Sequence, residues 1–220
     1  MSYWLSLLFI SLFIHKMLFE DSYLEVVGSS QGLFKDKGSK FIAYTFHIKD
    51  EDDVKARMAE VRKKEYAARH HCYAYVLNPD KSIQRDSDDG EPSNTAGKPI
   101  LGQLLSNDLT NTLIIVVRYF GGVKLGVGGL INAYRSAAQD ALLNIAIEKR
   151  FIKEVFVVHF QYPEMNNVMR VVKDLKLDVI QQKFEIECEL TFSIRTSQSE
   201  KMQSIFALNH KVKLVYQKTI

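Results

Sequence analysis

The stretch RYFGGVKLGVGGL, Arg118 to Leu130, sets five glycines around a single lysine. It follows the unbroken apolar run Leu113 to Val117, whose β-branched composition suits a buried central strand. Beyond it Leu130, Tyr134, Ala137, Ala141 and Ile145 recur every three or four residues, so a long amphipathic helix is expected to begin where the glycines end. Strand, glycine turn and helix in that order put helix amides and a helix dipole where an anion could be held. The two familiar nucleotide loops are excluded by spacing. Gly122 and Gly126 do not lead into Gly-Lys-Ser/Thr, and Gly126-Val127-Gly128 lacks the third glycine of a dinucleotide fingerprint. What is left is a backbone, Gly121, Gly122, Gly126, Gly128 and Gly129, free to take positive φ, with Arg118 and Lys124 beside it and Arg135 about a turn into the helix. The same glycines could instead let strand and helix pack closely, and both readings stay open.

Working upstream, Ser29 to Ile48 reads as a β-hairpin, with Phe41, Ala43 and Thr45 alternating with Ile42, Tyr44 and Phe46. The next segment opens with Asp50 to Asp53, closes with Arg62 to Lys64 and carries an apolar stripe at Val54, Met58 and Val61. That charge order complements a helix dipole. HHCYAYVL and SIQRDSD are short β-like runs separated by the turn Asn78 to Asp80. TAGKPILGQLLSND reads as a short helix interrupted near its start by Pro99.

Downstream the pattern changes near Glu148 to Phe151, and a second unit follows in the order βαββαβ. VFVVHFQY is a strand, and Met165, Val168, Met169, Val172 and Leu175 form a helical stripe. Phe184, Ile186, Cys188, Leu190, Phe192 and Ile194 alternate with Glu185, Glu187, Glu189, Thr191, Ser193 and Arg195, as one strand with a core face and a wet face would. Ser197 and Glu200 have capping-box spacing ahead of Met202, Ile205 and Phe206, and VKLVY supplies a last strand. The fold class expected is therefore α+β in two domains, residues 17–150 and a ferredoxin-like domain 151–220 with both helices on one face of an antiparallel sheet. Glu185, Glu187 and Glu189 make the wet face acidic, a surface expected to repel phosphate and to suit a protein partner.

Hydrophobic residues at 46% and charged residues at 25% of the chain are enough for packed cores, and a formal net charge of +3 is too small to argue for nucleic acid unaided. Charge placement has to decide. Cys72 and Cys188 stand far apart without a CxxC or histidine cluster, so neither a disulfide framework nor a structural zinc site is implied and a reducing cytoplasm is expected. The apolar run Trp4 to Ile14 is shorter than the ~20 residues of a membrane span. No basic residue precedes it, and no small-residue cleavage site follows. Residues 1–16 are read as an extension upstream of a true start at Met17, with no membrane partner.

A second constellation, RDSDDGEPSNTAGKP, carries Asp86, Asp88, Asp89 and Glu91. The glycines at 90 and 97 occupy positions where a calcium loop needs ligands, which leaves a looser magnesium site, a solvated acidic turn, or an acidic loop paired with Arg118 and Lys124. In ARHHCYAY, His70 and Cys72 share a strand face and His71 takes the other, so one metal shared by all three is not expected. Cys72 reads as a buried cysteine beside a hydrogen-bonded histidine. Without GxSxG, HExxH or CxxC, no catalytic residue, metal ligand or cofactor is assigned.

ARHHCYAY, DSDDGEPSNTAGKPIL and VVRYFGGVKLGVGGLINAY, in this order, closely resemble the signature blocks of the IMPACT/YigZ family. The resemblance covers about Ser29 to Lys149, and the βαββαβ tail is similar to the small C-terminal domain of bacterial members. It implies a first domain with the left-handed βαβ crossover shared by a ribosomal protein and elongation factor G, a tail similar to another elongation-factor domain, and a translation-associated role. Eukaryotic relatives resemble regulators of the starvation-responsive initiation kinase but carry an extra RWD domain for which this chain has no room, so that role is not expected to transfer. Two functions are carried forward. One is a regulatory module that binds RNA, the ribosome or a translation factor through Arg118, Lys124 and Arg135, aided by Arg69 and His70, with Tyr119 or Phe120 stacking on a base. The other is an enzyme acting on a phosphorylated small molecule or nucleotide, its glycine loop holding phosphate while Asp88, Asp89 or Glu91 recruits magnesium.

Overall fold

The computed structural model describes residues 21–220, so the readings of residues 1–16 and of Met17 lie outside it. The chain divides into two compact units, Tyr23–Arg150 and Phe151–Ile220, the latter joined by Asp21 and Ser22.

The first unit runs β1 (Ser22–Val27), β2 (Ser29–Asp36), β3 (Ser39–His47), α1 (Glu51–Lys64), β4 (His70–Leu77), β5 (Ile83–Ser87), α2 (Gly97–Ser106), β6 (Thr112–Tyr119), α3 (Gly126–Leu143) and β7 (Ala146–Phe151). Five strands form one sheet in the order β2-β3-β6-β4-β5, with every neighbouring pair antiparallel. Because β3 and β4 both run against β6, they are parallel to each other, and α1 is the crossover that connects them. Phe41, Ala43, Cys72, Ala74, Ile114 and Val116 pack on one face with Ile100 and Leu104 of α2 and Leu130, Tyr134 and Ala137 of α3. Tyr44, Phe46, Tyr75, Leu113, Ile115 and Val117 pack on the other with Val54 and Val61 of α1. A strand covered on both sides has no wet face, which is why Leu113 to Val117 is apolar without alternation.

Local chemistry sets the helix starts. Asp50 caps α1, its Oδ1 accepting from the Asp52 and Asp53 amides at 3.0 and 2.9 Å. Pro99 does not interrupt α2. It lies in the first turn, where no backbone N–H has an intrahelical partner, so the missing donor costs nothing there. The helix after the glycines begins at Gly126 rather than Leu130, so Gly126, Gly128 and Gly129 belong to its first turn. β1, which the sequence did not suggest, pairs with β7 as a separate ribbon. Glu25 in β1 is buried and accepts from Arg150 Nε at 2.9 Å.

The second unit contains β8 (Lys153–Gln161), a 3-10 turn (Tyr162–Glu164), α4 (Met165–Asp174), β9 (Asp178–Phe184), β10 (Glu187–Arg195), α5 (Thr196–Ala207) and β11 (Val212–Thr219). The sheet order β11-β8-β10-β9, antiparallel throughout, is the ferredoxin-like plan. Val168 and Val172 of α4 and Met202 and Phe206 of α5 share one core with Phe156, Val158, Cys188, Leu190, Phe192 and Ile194. The long alternating strand is corrected at its start. Glu185 and Ile186 are the turn of the β9–β10 hairpin, and Phe184 and Ile186 are exposed.

The capping box at Ser197 does not form either. Asp21 supplies the carboxylate instead, accepting from the Ser197 amide at 3.3 Å and from Arg195 Nη2 at 2.6 Å. The Arg195 hydrogen bond, followed by those of Ser197, holds the Asp21 pKa below its ordinary value although burial opposes them. The expected acidic face is also mixed in charge. Register places Lys183 and His159 beside Glu189, and Lys213 beside His159, on the side away from the helices.

Candidate functional site

A cleft of about 750 Å³ opens at the end of β6 in the first unit. Its walls come from three connections: Ala67, Arg69 and His70 after α1, Glu91 and Pro92 of the acidic turn, and Arg118 to Phe120 and Lys124 to Val127 around the glycines, with Leu130 behind. The sheet register explains the grouping. Phe41 in β3 and His70 in β4 both lie opposite Arg118, so the three occupy one face in neighbouring strands.

Arg118 is 9% exposed, and its Nη1 donates to Glu91 Oε1 at 2.7 Å and Oε2 at 3.0 Å. The guanidinium carbon lies 5.5 Å from the ring centres of both Phe41 and Phe120. Tyr134 of α3 donates to Glu91 Oε1 at 2.8 Å, and the Cys72 sulfur stands 3.4 Å from that hydroxyl. Of the three arrangements open to the acidic loop, pairing with Arg118 is the one formed, through Glu91. Burial pushes the Cys72 thiol far above its ordinary range, with the Glu91, Asp89 and Asp88 charges adding to it, so the group is a neutral thiol in the core.

The other carboxylates of the turn are engaged too. Asp88 Oδ1 accepts from the Ala96 and Gly97 amides at 2.9 and 2.8 Å, and Oδ2 from the Asn94 amide at 2.7 Å. It therefore caps α2 from outside the helix. Asp89 Oδ2 accepts from the His71 amide at 2.7 Å, and its carbonyl accepts from His70 Nδ1 at 2.9 Å, so Nδ1 carries the proton. Asp86 pairs with Lys98 at 2.9 Å. Among the described residues there is no group of three or more His, Cys, Asp or Glu arranged to hold a metal. His71 lies on the opposite face, buried, where desolvation lowers its pKa.

The glycines serve different ends. Gly121 lies so close to the β2–β3 turn that a Cβ there would meet Gly38 C at 1.9 Å and Ser39 N at 2.1 Å. Gly126 has φ +72° with open space around it, at the start of an α3 that receives no side-chain cap. Gly126 and Val127, the first two residues of this 18-residue helix, line the cleft, and no side chain caps the amides there. Gly122, Gly128 and Gly129 complete the loop and first turn.

Not every expected residue arrives. Lys124, Arg69 and His70 line the cleft, and Lys124 and Arg69 are exposed with no ion pair among the described residues. Arg135 is exposed but two and a half turns into α3, because the helix starts four residues early, and it does not line the cleft. Tyr119 turns to the α1 face, where its hydroxyl donates to Glu65 Oε2 at 2.7 Å. That bond pushes the Tyr119 pKa up to about 12. Phe120, 58% exposed, is the ring left at the mouth. Glu65, which also accepts from Tyr44, was missed because nothing in KKEYAARHH distinguishes it from a solvated charge.

Residues 37–142 match the family model described as the Impact N-terminal domain. An IMPACT family member of Haemophilus influenzae is 34% identical over 183 residues, which span 82% of this chain and 89% of that protein. The IMPACT family member YigZ of Escherichia coli is 37% identical over 134 residues, 60% of this chain and 66% of that one. A crystal structure of a hypothetical protein aligns with TM-score 0.65 at 26% identity, covering 91% of this chain and 99% of the other. The three blocks that build the cleft fall within the matched region, and at this identity and coverage the chain belongs to the IMPACT family.

Proposed function

We propose that this protein is a translation-associated regulatory protein that contacts RNA, free or within a ribosomal complex, through the cleft beside the glycine loop. The translation-associated role is the one its family resemblance implies. The observation that carries the RNA reading is the juxtaposition of two cations, Arg69 and Lys124, without an ion pair among the described residues, with the uncapped glycine start of α3 at one cavity. Cations and helix amides together suit phosphate. Arg118 contributes differently from a surface cation: neutralised by Glu91, it braces the floor and supports the Phe120 ring. The magnesium-enzyme alternative gains nothing from the acidic turn, whose carboxylates are spent on Lys98, backbone amides and Arg118.

Anisotropy titration of a labelled RNA at several salt concentrations tests the reading. Affinity should fall steeply with salt, and Arg69→Ala with Lys124→Ala should weaken binding and flatten the log–log slope by about 0.7 per lost contact. Binding that ignores both salt and this double substitution rules out the cleft as the RNA site.

A further inference from the structure

The cleft is one part of a wider basic and aromatic end of the five-stranded sheet. The approach of Gly121 to Gly38 joins the β6–α3 loop to the β2–β3 turn, which carries Lys37; Lys40 of β3, opposite Tyr119 in the register, lies on the α1 face. On the far side Lys63 and Lys64 end α1, and the α1–β4 connection runs from Glu65 through Tyr66 to Arg69. The acids in this region are Asp36, on the β2–β3 hairpin, Glu65, whose oxygens accept the hydroxyls of Tyr44 and Tyr119, Glu91, which is paired with Arg118, and Asp89, which accepts from the His71 amide and lies 3.5 Å from Arg62. Cations from three connections therefore converge where acids are few or already satisfied.

Two rings stand in solvent among them. Tyr66 is 85% exposed and Phe120 is 58% exposed, and neither belongs to a core cluster. Phe120 lines the cleft, and Tyr66 precedes Ala67, which lines it too. Phe120 keeps the Arg118 guanidinium near its ring, which limits the conformations it must give up on binding. Lysines alone would read any phosphate backbone, whereas exposed rings gain nothing from a duplex, in which the bases are already stacked on one another. Unpaired bases offer faces to stack on.

We propose that this end of the sheet is a single-strand-selective RNA site in which Tyr66 and Phe120 stack on unpaired bases while Lys37, Arg69 and Lys124 follow the phosphates. This rests on the RNA reading above and adds strand selectivity to it. The test uses the full chain, a labelled RNA of about 12 nucleotides without self-complementarity, and the same RNA annealed to its complement. The single strand should bind about tenfold or more tighter than the duplex. Tyr66→Ala and Phe120→Ala should each weaken single-strand binding about fivefold or more without changing the salt slope, and Tyr66→Phe should restore it. Both rings are exposed enough for these variants to stay folded, and thermal melts check this. Equal affinity for the two forms, or ring variants that bind like the parent, overturns strand selectivity and leaves the RNA reading standing. Binding to neither form overturns both.

Discussion

Arg118 Nη1 lies 2.7 Å from Glu91 Oε1, with both side chains buried, and this contact ties the central strand to the acidic turn that walls the cleft. Two charges taken out of water are stabilising only as a pair. Glu91→Leu alone leaves the guanidinium uncompensated, and Arg118→Met alone leaves the carboxylate. Each single variant should lose about 3–5 kcal/mol in urea unfolding. The double variant Glu91→Leu with Arg118→Met should lose less than either one. A double variant as unstable as the sum of the singles would mean that the two side chains act independently.

Asp88 supplies a second, pH-dependent tie. Burial alone would raise its pKa, but the amides of Gly97, Ala96 and Asn94 together hold it below its ordinary value of 3.8. A carboxyl depressed in the folded state stabilises fully above the unfolded pKa, and that contribution is lost as pH falls through the folded one. Asp88→Asn should therefore cost about 1 kcal/mol at pH 7, the scale of a helix cap. The gap from the parent should close as the pH is lowered below 3.8. A gap that persists undiminished in acid would show that the charge of Asp88 is not what caps α2.

Sequence reading succeeded where one periodicity governed one element. Leu113 to Val117 announced a strand buried on both faces, and the βαββαβ order emerged from stripes at Met165 to Val172 and Cys188 to Ile194. It failed where a pattern ran on through a boundary. Phe184 and Ile186 keep the alternation of β10 although the chain reverses at Glu185 and Ile186, a turn with no glycine, proline or asparagine to mark it. The site was legible as three blocks, but the fate of each charge was not. Whether Arg118 meets a ligand or Glu91 depends on a contact between residues 27 positions apart. Nothing in the sequence singles out Tyr66, because only the fold brings its neighbour Ala67 to the cleft wall.

Cys72 offers a check on the non-nucleophilic reading. Its thiol is fully buried, pushed up by desolvation, and 2.9 Å from the Asp88 carbonyl. Cys188 is fully buried as well. With both cysteines free and enclosed, native protein at neutral pH should react negligibly with Ellman's reagent, and denatured protein should release two equivalents. Rapid reaction of one thiol in the native state would show Cys72 or Cys188 to be accessible and reopen a nucleophile reading.

Two glycines of the quoted stretch should respond to alanine with opposite sign, which separates the close-packing reading from the open-backbone one. At Gly121 the new methyl would fall 1.9 Å from Gly38 C and 2.1 Å from Ser39 N, both backbone atoms that cannot swing aside. Gly121→Ala must push the β2–β3 turn from the β6–α3 loop, at a cost of about 1–3 kcal/mol or more. At Gly128 nothing lies within 4 Å and the residue is already helical, so alanine meets no neighbour and removes backbone freedom from the unfolded chain. Gly128→Ala should stabilise by about 0.5–1 kcal/mol. Thermal or urea unfolding of the two variants beside the parent decides the matter. If both destabilise alike, the open space at the start of α3 is not there in solution, and the access to helix amides on which phosphate binding depends is lost with it.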